Sequence, residues 1–379
     1  MSEILQKIRR PSIFILLLIL NLRFLFTVVL GERQEILTIL TFFFFLLSFD
    51  YTAMRREYLY WLGILVIISL AQFTPYKQNV LTPIILMQCI STLDLKTYLR
   101  YNIIILGGTA LLMLLFVGTG RMIQAEAITT IRIRYDFGYG HPNAATLYYW
   151  GLFISLLLYC YISKYRNFIW ILLGFLLLIS VYLYIETDSR SFIFAVVSFI
   201  LVLCYFSLRS KFTGDYRIGY SRYVLYVLPV VFAALTIYFA INVNDYPVLN
   251  ILLSKRLTLY KDLLDSLTPL QYLWGTTAFD YIIVDNSYLH LLFEAGVLVF
   301  AYFIWLWVFA VKNMVKQQNF ILIAVFVSFL VYGLMESLLL FSVIIGNNIF
   351  WVLLYRYRYG DDELFDPESK YIDLEKSVQ

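Results

Sequence analysis

The sequence predicts an all-α, polytopic integral membrane protein with about 12 transmembrane helices and cytoplasmic N- and C-termini. Of its 379 residues, 61% are hydrophobic and only 14% are charged, whereas a soluble domain contains roughly 25% charged residues. The apolar residues cluster in runs such as 103–117 and 168–185, and a membrane span needs about 20 predominantly apolar residues. A water-soluble enzyme of one large domain is therefore excluded.

The predicted spans are residues 12–30, 36–50, 58–73, 80–95, 101–118, 143–162, 167–185, 191–208, 223–241, 289–311, 319–336 and 339–356. We expect residues 1–356 to form a single transmembrane helical domain, and the polar residues 357–379 to form a cytoplasmic tail. Two predicted outer loops are long, at 119–142 and 242–288.

The second outer loop is predicted to contain an amphipathic helix. Five apolar residues follow one another at spacings of four and three until Pro269 breaks the pattern, which is typical of one face of a helix. These residues are Leu253, Leu257, Tyr260, Leu264 and Leu267. The helix is expected to lie on the helical bundle or in the outer headgroup region.

The orientation of the chain follows from the basic residues of the predicted loops. Loops on one side contain 17 Lys and Arg residues, and loops on the other side contain nine. The first set, which includes Lys96 and Arg100, lies in short loops close to span ends, and the positive-inside rule assigns such loops to the cytoplasm. Both termini are therefore expected inside, and both long loops outside.

A turn at the outer membrane boundary contains one of the two histidines. Gly138, Gly140 and Pro142 mark a tight turn into the next span, and His141 can carry protons near neutral pH. His141 is a candidate catalytic residue, and Asn143 is a candidate substrate-binding residue. The alternative is a helix-entry turn in which Asn143 is the cap.

Two arginines lie on the side where basic residues are rare. Arg190 begins a span after a short polar break, and Arg256 begins the predicted loop helix. A planar guanidinium suits phosphate oxygens, so both are candidates for an anion site, with Ser189 beside it. The alternatives are an ion pair of Arg190 with Glu186 or Asp188, and a solvated helix face at Arg256.

A third polar group closes the second outer loop. Asp285 and His290 are candidate acid–base residues there, and Asn286 is a candidate substrate-binding residue. The alternatives are a helix cap at the start of the next span and a simple pair between His290 and Glu294, which are four residues apart. Glu336, at the outer end of its span, is a further catalytic candidate because an ionisable group at a membrane boundary is a functional candidate by default.

The order of these motifs resembles that of the O-antigen ligase and bacterial polysaccharide polymerase superfamily, which has a multispan helical glycosyltransferase fold. The resemblance therefore implies a GT-C-like helical fold for residues 1–356. The Gly-His-Pro-Asn stretch at 140–143 is similar to one in capsular polymerases, and the turn at 188–191 is similar to the family's Ser-Arg motif. Residues 255–260 resemble its second arginine motif. Residues 285–296 resemble the His-Asn motif that closes the large outer loop.

The chain differs from the family pattern at one position, since many ligases have His where this chain has Asp285. The resemblance therefore leaves the catalytic base open. The candidates are Asp285, His141, His290 and Glu336. Both arginine motifs match, which implies that Arg190 and Arg256 stabilise a lipid diphosphate.

The resemblance implies a glycosyltransferase of the bacterial cytoplasmic membrane with an extracytoplasmic active site. Its donor and acceptor are expected to be oligosaccharides on undecaprenyl diphosphate, and its product capsule, O-antigen or exopolysaccharide. No metal is expected, because the outer side has no Asp-x-Asp pair and arginines can neutralise the leaving group. No cofactor and no nucleic acid partner are expected either. Membrane lipids, flippase and chain-length regulator proteins are the expected partners.

Two other functions are alternatives. A ligase that transfers glycan to another acceptor would use the same groups, but the Gly-His-Pro-Asn stretch and the missing His at 285 favour a polymerase. A transporter of lipid-linked oligosaccharides would need functional charge at mid-membrane depth and often contains internal repeats. The polar motifs of this chain gather at one face instead.

Overall fold

The structure, a computed structural model, describes residues 2–30, 35–49, 90, 93–120, 134–163, 168–213, 218–337 and 348–358. These residues fold into helices joined by turns and one long loop, and no β-strand occurs among them. The prediction of an all-α chain is confirmed for this part of the protein.

Thirteen α-helices of at least six residues are described. In order they are α1 (Ser2–Leu30), α2 (Glu35–Ser48), α3 (Leu95–Gly118), α4 (Pro142–Ile162), α5 (Ile169–Thr187), α6 (Arg190–Thr213), α7 (Ser221–Ile241), α8 (Pro247–Leu252), α9 (Arg256–Ser266), α10 (Pro269–Trp274), α11 (Val297–Lys316), α12 (Phe320–Met335) and α13 (Ile349–Tyr357). A helical turn (Ser287–Leu289) and a π-helix (His290–Glu294) lead into α11.

Six of the described helices are long and apolar enough to cross a membrane. They are α3, α4, α5, α7, α11 and the first 20 residues of α6. Their outer surfaces expose large apolar side chains, among them Ile171 at 71% and Leu178 at 72%. Water disfavours such a surface, whereas lipid accommodates it. The chain therefore has the helices of a polytopic membrane protein.

Six of the twelve predicted spans match an observed helix to within five residues at each end. The observed helices begin ten residues before the predicted span 12–30, six before 101–118 and eight after the start of 289–311. The predicted spans 143–162, 223–241 and 319–336, for example, correspond to α4, α7 and α12. Outside the described residues lie the predicted span 58–73, most of the span 80–95 and nearly all of the tail 357–379. The total of about 12 spans stays a prediction.

The prediction was wrong at Lys96 and Arg100, which it placed in a loop. Both lie in the first turns of α3. The helix begins here because Asp94 Oδ1 accepts a hydrogen bond from the Thr97 amide at 2.8 Å and caps the helix. An apolar pattern cannot show such a start, since the capped turn itself is polar.

One apolar core runs through the bundle, with extensive packing between α6 and α12. Hydrogen bonds to Glu336 place the starts of α4 and α6 and the end of α12 at one end of the bundle. Further hydrogen bonds place the end of α5, the last turns of α7 and the segment that leads into α11 at the same end. This end is named the site end. All the motifs singled out in the sequence lie there.

The long segment between α7 and α11 folds back onto the site end. Its helix α9 is the predicted amphipathic helix, and Leu257, Tyr260 and Leu263 are buried in a second core with residues at the end of α7 and in the π-helix. Pro269 begins α10 after a two-residue break. A helix therefore lies on the bundle where the amphipathic helix was predicted, and Arg256 is its first residue.

Candidate functional site

A buried carboxylate, that of Glu336, lies at the centre of a polar cluster at the site end. Glu336 directly follows α12 and is only 3% exposed. Its Oε1 atom accepts hydrogen bonds from Asn143 Nδ2 at 2.5 Å and from Ser191 Oγ at 3.1 Å, and Arg256 Nη2 lies 3.4 Å away. A buried carboxylate needs such partners because removing a charge from water is costly. Glu336 therefore joins α4, α6 and α9 at one point.

Arg256 bridges the two carboxylates of the cluster. Its Nη2 atom lies 2.9 Å from Asp285 Oδ2, and its Nη1 atom donates to the Met335 carbonyl. The Asp285 side chain is 33% exposed, whereas that of Glu336 is 5% exposed. Asp285 thus lies on the accessible side of the guanidinium and Glu336 on the buried side. The alternative of a solvated helix face at Arg256 is wrong.

Arg134 belongs to the same cluster, although no motif marked it in the sequence. Its Nη2 atom donates to Asn143 Oδ1 at 2.8 Å, and its Nε atom donates to the Thr187 carbonyl at 2.8 Å. The first bond orients the Asn143 amide so that its Nδ2 group faces Glu336. The one available signal was the location of Arg134 on the predicted outer side, where basic residues are rare.

Arg190 has a more open environment than Arg256. Its half-buried side chain donates from Nη1 to the Leu252 carbonyl at 2.9 Å. Among the described residues no carboxylate lies within ion-pair distance of Arg190, so the alternative of a pair with Glu186 or Asp188 is wrong. Because Leu252 lies four residues before Arg256, this hydrogen bond brings both arginines to the same region of the site end.

The segment around Asp285 is held in place by its neighbours. Asn286 is fully buried, and its side chain caps the following helical turn and donates to a carbonyl near the end of α12 at 2.8 Å. The Ser287 hydroxyl donates to the backbone carbonyl of Glu336 at 2.6 Å, and the Tyr260 hydroxyl donates to that of Asp285 at 2.8 Å. The alternative of a helix cap is confirmed, and the cap fixes where the Asp285 carboxylate lies.

Ser189, a predicted substrate-binding residue, is fully buried beneath the cluster. Its Oγ atom accepts a hydrogen bond from Thr146 Oγ1 at 3.3 Å and lies 3.2 Å from Ser191 Oγ. The Tyr332 hydroxyl donates to the Asn143 carbonyl at 2.8 Å. These hydroxyls hold α4, α6 and α12 together, so this placement gives Ser189 a packing role.

His141, not Asn143, is the N-cap of α4. Its Nδ1 atom accepts a hydrogen bond from the Asn143 amide at 3.2 Å, so the neutral ring has its proton on Nε2. Loss of solvation lowers the pKa of His141, the Arg134 guanidinium lowers this pKa further, and the Asp285 carboxylate opposes both effects. Because its basic nitrogen is occupied, the neutral ring can donate a hydrogen bond to a ligand but is a poor base.

His290 and Glu294 form a separate buried pair in the π-helix. The His290 Nδ1 atom contacts Glu294 Oε2, and its Nε2 atom lies 2.7 Å from the Val284 carbonyl. The ring also packs against Phe279, with 4.4 Å between ring centroids. The alternative of a simple pair is confirmed. Both ring nitrogens are engaged, so His290 fixes the backbone just before Asp285.

The glycine that ends this motif is required by geometry. Gly296 has a φ of +93°, which residues with a side chain rarely adopt, and a Cβ atom there would lie 2.6 Å from the Leu273 carbonyl oxygen. Only glycine therefore lets the end of α10 pack against the start of α11.

No protein-family model, curated protein or solved structure matches this chain. The resemblance to the O-antigen ligase and polysaccharide polymerase superfamily stays a prediction. Among the described residues, no three His, Cys, Asp or Glu side chains gather into a set that could hold a metal ion. The expectation of chemistry without a metal also stays a prediction.

The cap at His141 predicts a pH-dependent stability. A His whose pKa is lower in the folded than in the unfolded chain loses stability as pH falls through the usual value of 6.5, because the unfolded chain takes up the proton first. In His141→Asn the amide oxygen preserves the cap and removes the titrating ring. We expect thermal unfolding in detergent to show a smaller loss of stability between about pH 7.5 and 5.5 in the variant than in the wild type. Equal losses would contradict this assignment.

Proposed function

We propose that the chain is a polysaccharide polymerase that joins oligosaccharide repeat units carried on undecaprenyl diphosphate. In this proposal it crosses the bacterial cytoplasmic membrane about 12 times, with both termini inside and the site end outside. The order of the four motifs and the bias of basic residues support this assignment.

The observation that carries the proposal is that two arginines from distant segments lie at the site end, and that one of them, Arg256, is paired with two carboxylates. Arg190 and Arg256 are 66 residues apart in the sequence. Ser191, next to the first arginine, nevertheless shares an oxygen of Glu336 with the second. The cations can bind the negatively charged diphosphate, and a carboxylate can accept a proton from a hydroxyl of the acceptor sugar.

The reaction is a displacement at the anomeric carbon of the donor sugar. A hydroxyl oxygen of the acceptor forms the new glycosidic bond, and the bond from the anomeric carbon to the diphosphate oxygen breaks. The lipid diphosphate leaves with the electron pair and gains negative charge, which Arg190 and Arg256 stabilise. The hydroxyl proton goes to a carboxylate.

Asp285 suits the role of this base better than the other three candidates. Its carboxylate is the more exposed of the two in the cluster, whereas Glu336 lies behind Arg256, His290 is buried, and His141 uses its basic nitrogen as a cap. Without substrate, Asp285 is paired with Arg256 at 2.9 Å. A diphosphate that binds Arg256 competes with this pair and releases the carboxylate toward the acceptor.

Loss of either arginine is expected to abolish polymer. In Arg190→Ala or Arg256→Ala, the leaving group loses a charge partner, and removal of one such donor typically lowers the rate about 10²–10³-fold. Surface glycan analysed on gels from cells that express each variant, normalised to protein level, measures this loss. Arg222→Ala, at the opposite end of α7, is the matched control and is expected to retain polymer. If a stable Arg190→Ala protein made as much polymer as the wild type, Arg190 would have no role in the mechanism.

The same gels distinguish a polymerase, which produces a ladder of products, from a ligase, which performs a single transfer.

The two carboxylates are expected to respond differently to neutralisation. Asp285→Asn removes the base, which typically contributes about 10²–10⁴-fold. Glu336→Gln keeps an acceptor for Asn143 and Ser191 and weakens one contact to Arg256, so we expect a loss within about tenfold. Initial rates of polymer formation by purified variants measure both effects. A larger loss in Glu336→Gln than in Asp285→Asn would reverse the assignment.

Thiol labelling tests the proposed orientation. The background is a variant in which Cys89, Cys160 and Cys204 are replaced by Ala. Single cysteines are then introduced at exposed positions near the two ends of α7. Asp262→Cys lies near the site end, and Tyr220→Cys lies at the opposite end. A membrane-impermeant maleimide added to intact cells is expected to label Asp262→Cys and to label Tyr220→Cys only after permeabilisation. The reverse pattern would place the site end inside the cell, where the proposed enzyme has no substrate.

A further inference from the structure

A short helix beside Arg190 exposes apolar side chains at the site end. The helix α8 has six residues, and this length extends only about 9 Å, far too short for a span. Its residues Val248, Ile251 and Leu252 are nevertheless 69%, 70% and 59% exposed. A short helix that presents an apolar face beyond the ends of the spans is suited to the boundary between lipid and water. These three side chains form the α8 strip.

Arg190 connects the α8 strip to the polar cluster. Its Nη1 atom donates to the carbonyl of Leu252, in the last turn of α8, where backbone carbonyls lack helical partners and attract cations. A guanidinium has five N–H donors, so this bond leaves others for an anion. Lys255 follows the strip by three residues, is exposed, and adds a second positive charge.

We propose that the α8 strip binds the first isoprene units of the lipid substrate while Arg190 binds its diphosphate. This inference rests on the function proposed above and locates the hydrocarbon of that substrate. A polyprenyl diphosphate has its anion attached directly to a long hydrocarbon, and the site end presents a cation directly beside an exposed apolar surface. A phospholipid has a glycerol ester unit between phosphate and hydrocarbon, so it matches this close spacing less well.

An apolar cavity lined by residues of α7, α9, α10 and α11 is the alternative place for the hydrocarbon. The cavity has a volume of about 550 Å³, and its lining includes Ile237, Leu264, Tyr272 and Leu273. No hydrogen bond among the described residues links this lining to Arg190, whereas Leu252 of the strip is bonded to it. The strip is therefore favoured over the cavity.

Photocrosslinking of a radiolabelled lipid distinguishes these locations. A benzophenone amino acid is introduced singly at Ile251 in the strip, at Leu273 in the cavity, and at Ile171 as a control. Ile171 is as exposed as Ile251 but lies in the first turn of α5, at the end of that helix away from the site end. The full chain in nanodiscs that contain phosphatidylglycerol is irradiated with ³²P-labelled undecaprenyl diphosphate and analysed by gel autoradiography. Competition by unlabelled undecaprenyl diphosphate is compared with competition by undecaprenol.

We expect strong labelling at position 251, weak labelling at 171 and 273, and competition by the diphosphate but not by the alcohol. Adding Arg190→Gln to the position-251 variant is expected to reduce labelling at least about tenfold, which corresponds to loss of one charge-assisted hydrogen bond. Equal labelling at 171, dominant labelling at 273, or labelling that does not depend on Arg190 would overturn the inference.

Polymer formation by the wild-type protein, measured in the same nanodiscs with lipid-linked repeat units, separates this inference from the proposed function. Polymer formation without labelling at position 251 would contradict the proposed lipid site but not the proposed polymerase function. Labelling at position 251 without polymer formation would support the lipid site and contradict the polymerase function.

Discussion

Burial of a charge constrains the site end of this bundle more than any other interaction. Glu336 is almost completely buried, and a buried carboxylate that loses a partner destabilises a protein by about 3–5 kcal/mol. Its donors come from α4, α6 and α9, which belong to three separate parts of the chain. These helices cannot shift independently without leaving the carboxylate unpaired. The positions of Arg190, on α6, and of Asp285, beside Arg256, follow from this constraint.

The three arginines of the site end have different surroundings and therefore different roles. Arg134 orients the Asn143 amide and ties its own segment to the end of α5. Arg256 is already compensated by two carboxylates, one buried and one accessible. Arg190 donates a single hydrogen bond to a helix carbonyl in the described chain. In the proposed mechanism, an incoming diphosphate therefore meets Arg190 as the more available of the two predicted arginines, and it reaches Arg256 only by competing with Asp285.

Both histidines have packing or capping roles, although residue type alone made them candidates for proton transfer. His141 caps a helix through Nδ1, and His290 is clamped between a carboxylate and a backbone carbonyl. The sequence pattern offered the pair of His290 with Glu294 as an alternative, but it named Asn143 and not His141 as the cap. A pattern cannot decide these roles, because they depend on tautomer and burial. The same limit applies to Ser189, whose hydroxyl faces other hydroxyls in the core and not the solvent.

The sequence by itself determined the helical class, the positions of six described helices, the helix α9 and the segments that carry the polar motifs, because hydropathy and helical periodicity are local properties of a chain. It misplaced Lys96 and Arg100, since a polar cap extended α3 beyond its apolar run. Only the tertiary structure decided that Glu336 is the centre of the cluster, that Arg134 belongs to it, and that Arg190 is more open than Arg256. These properties arise from contacts between residues up to 193 positions apart, which no spacing in the sequence encodes.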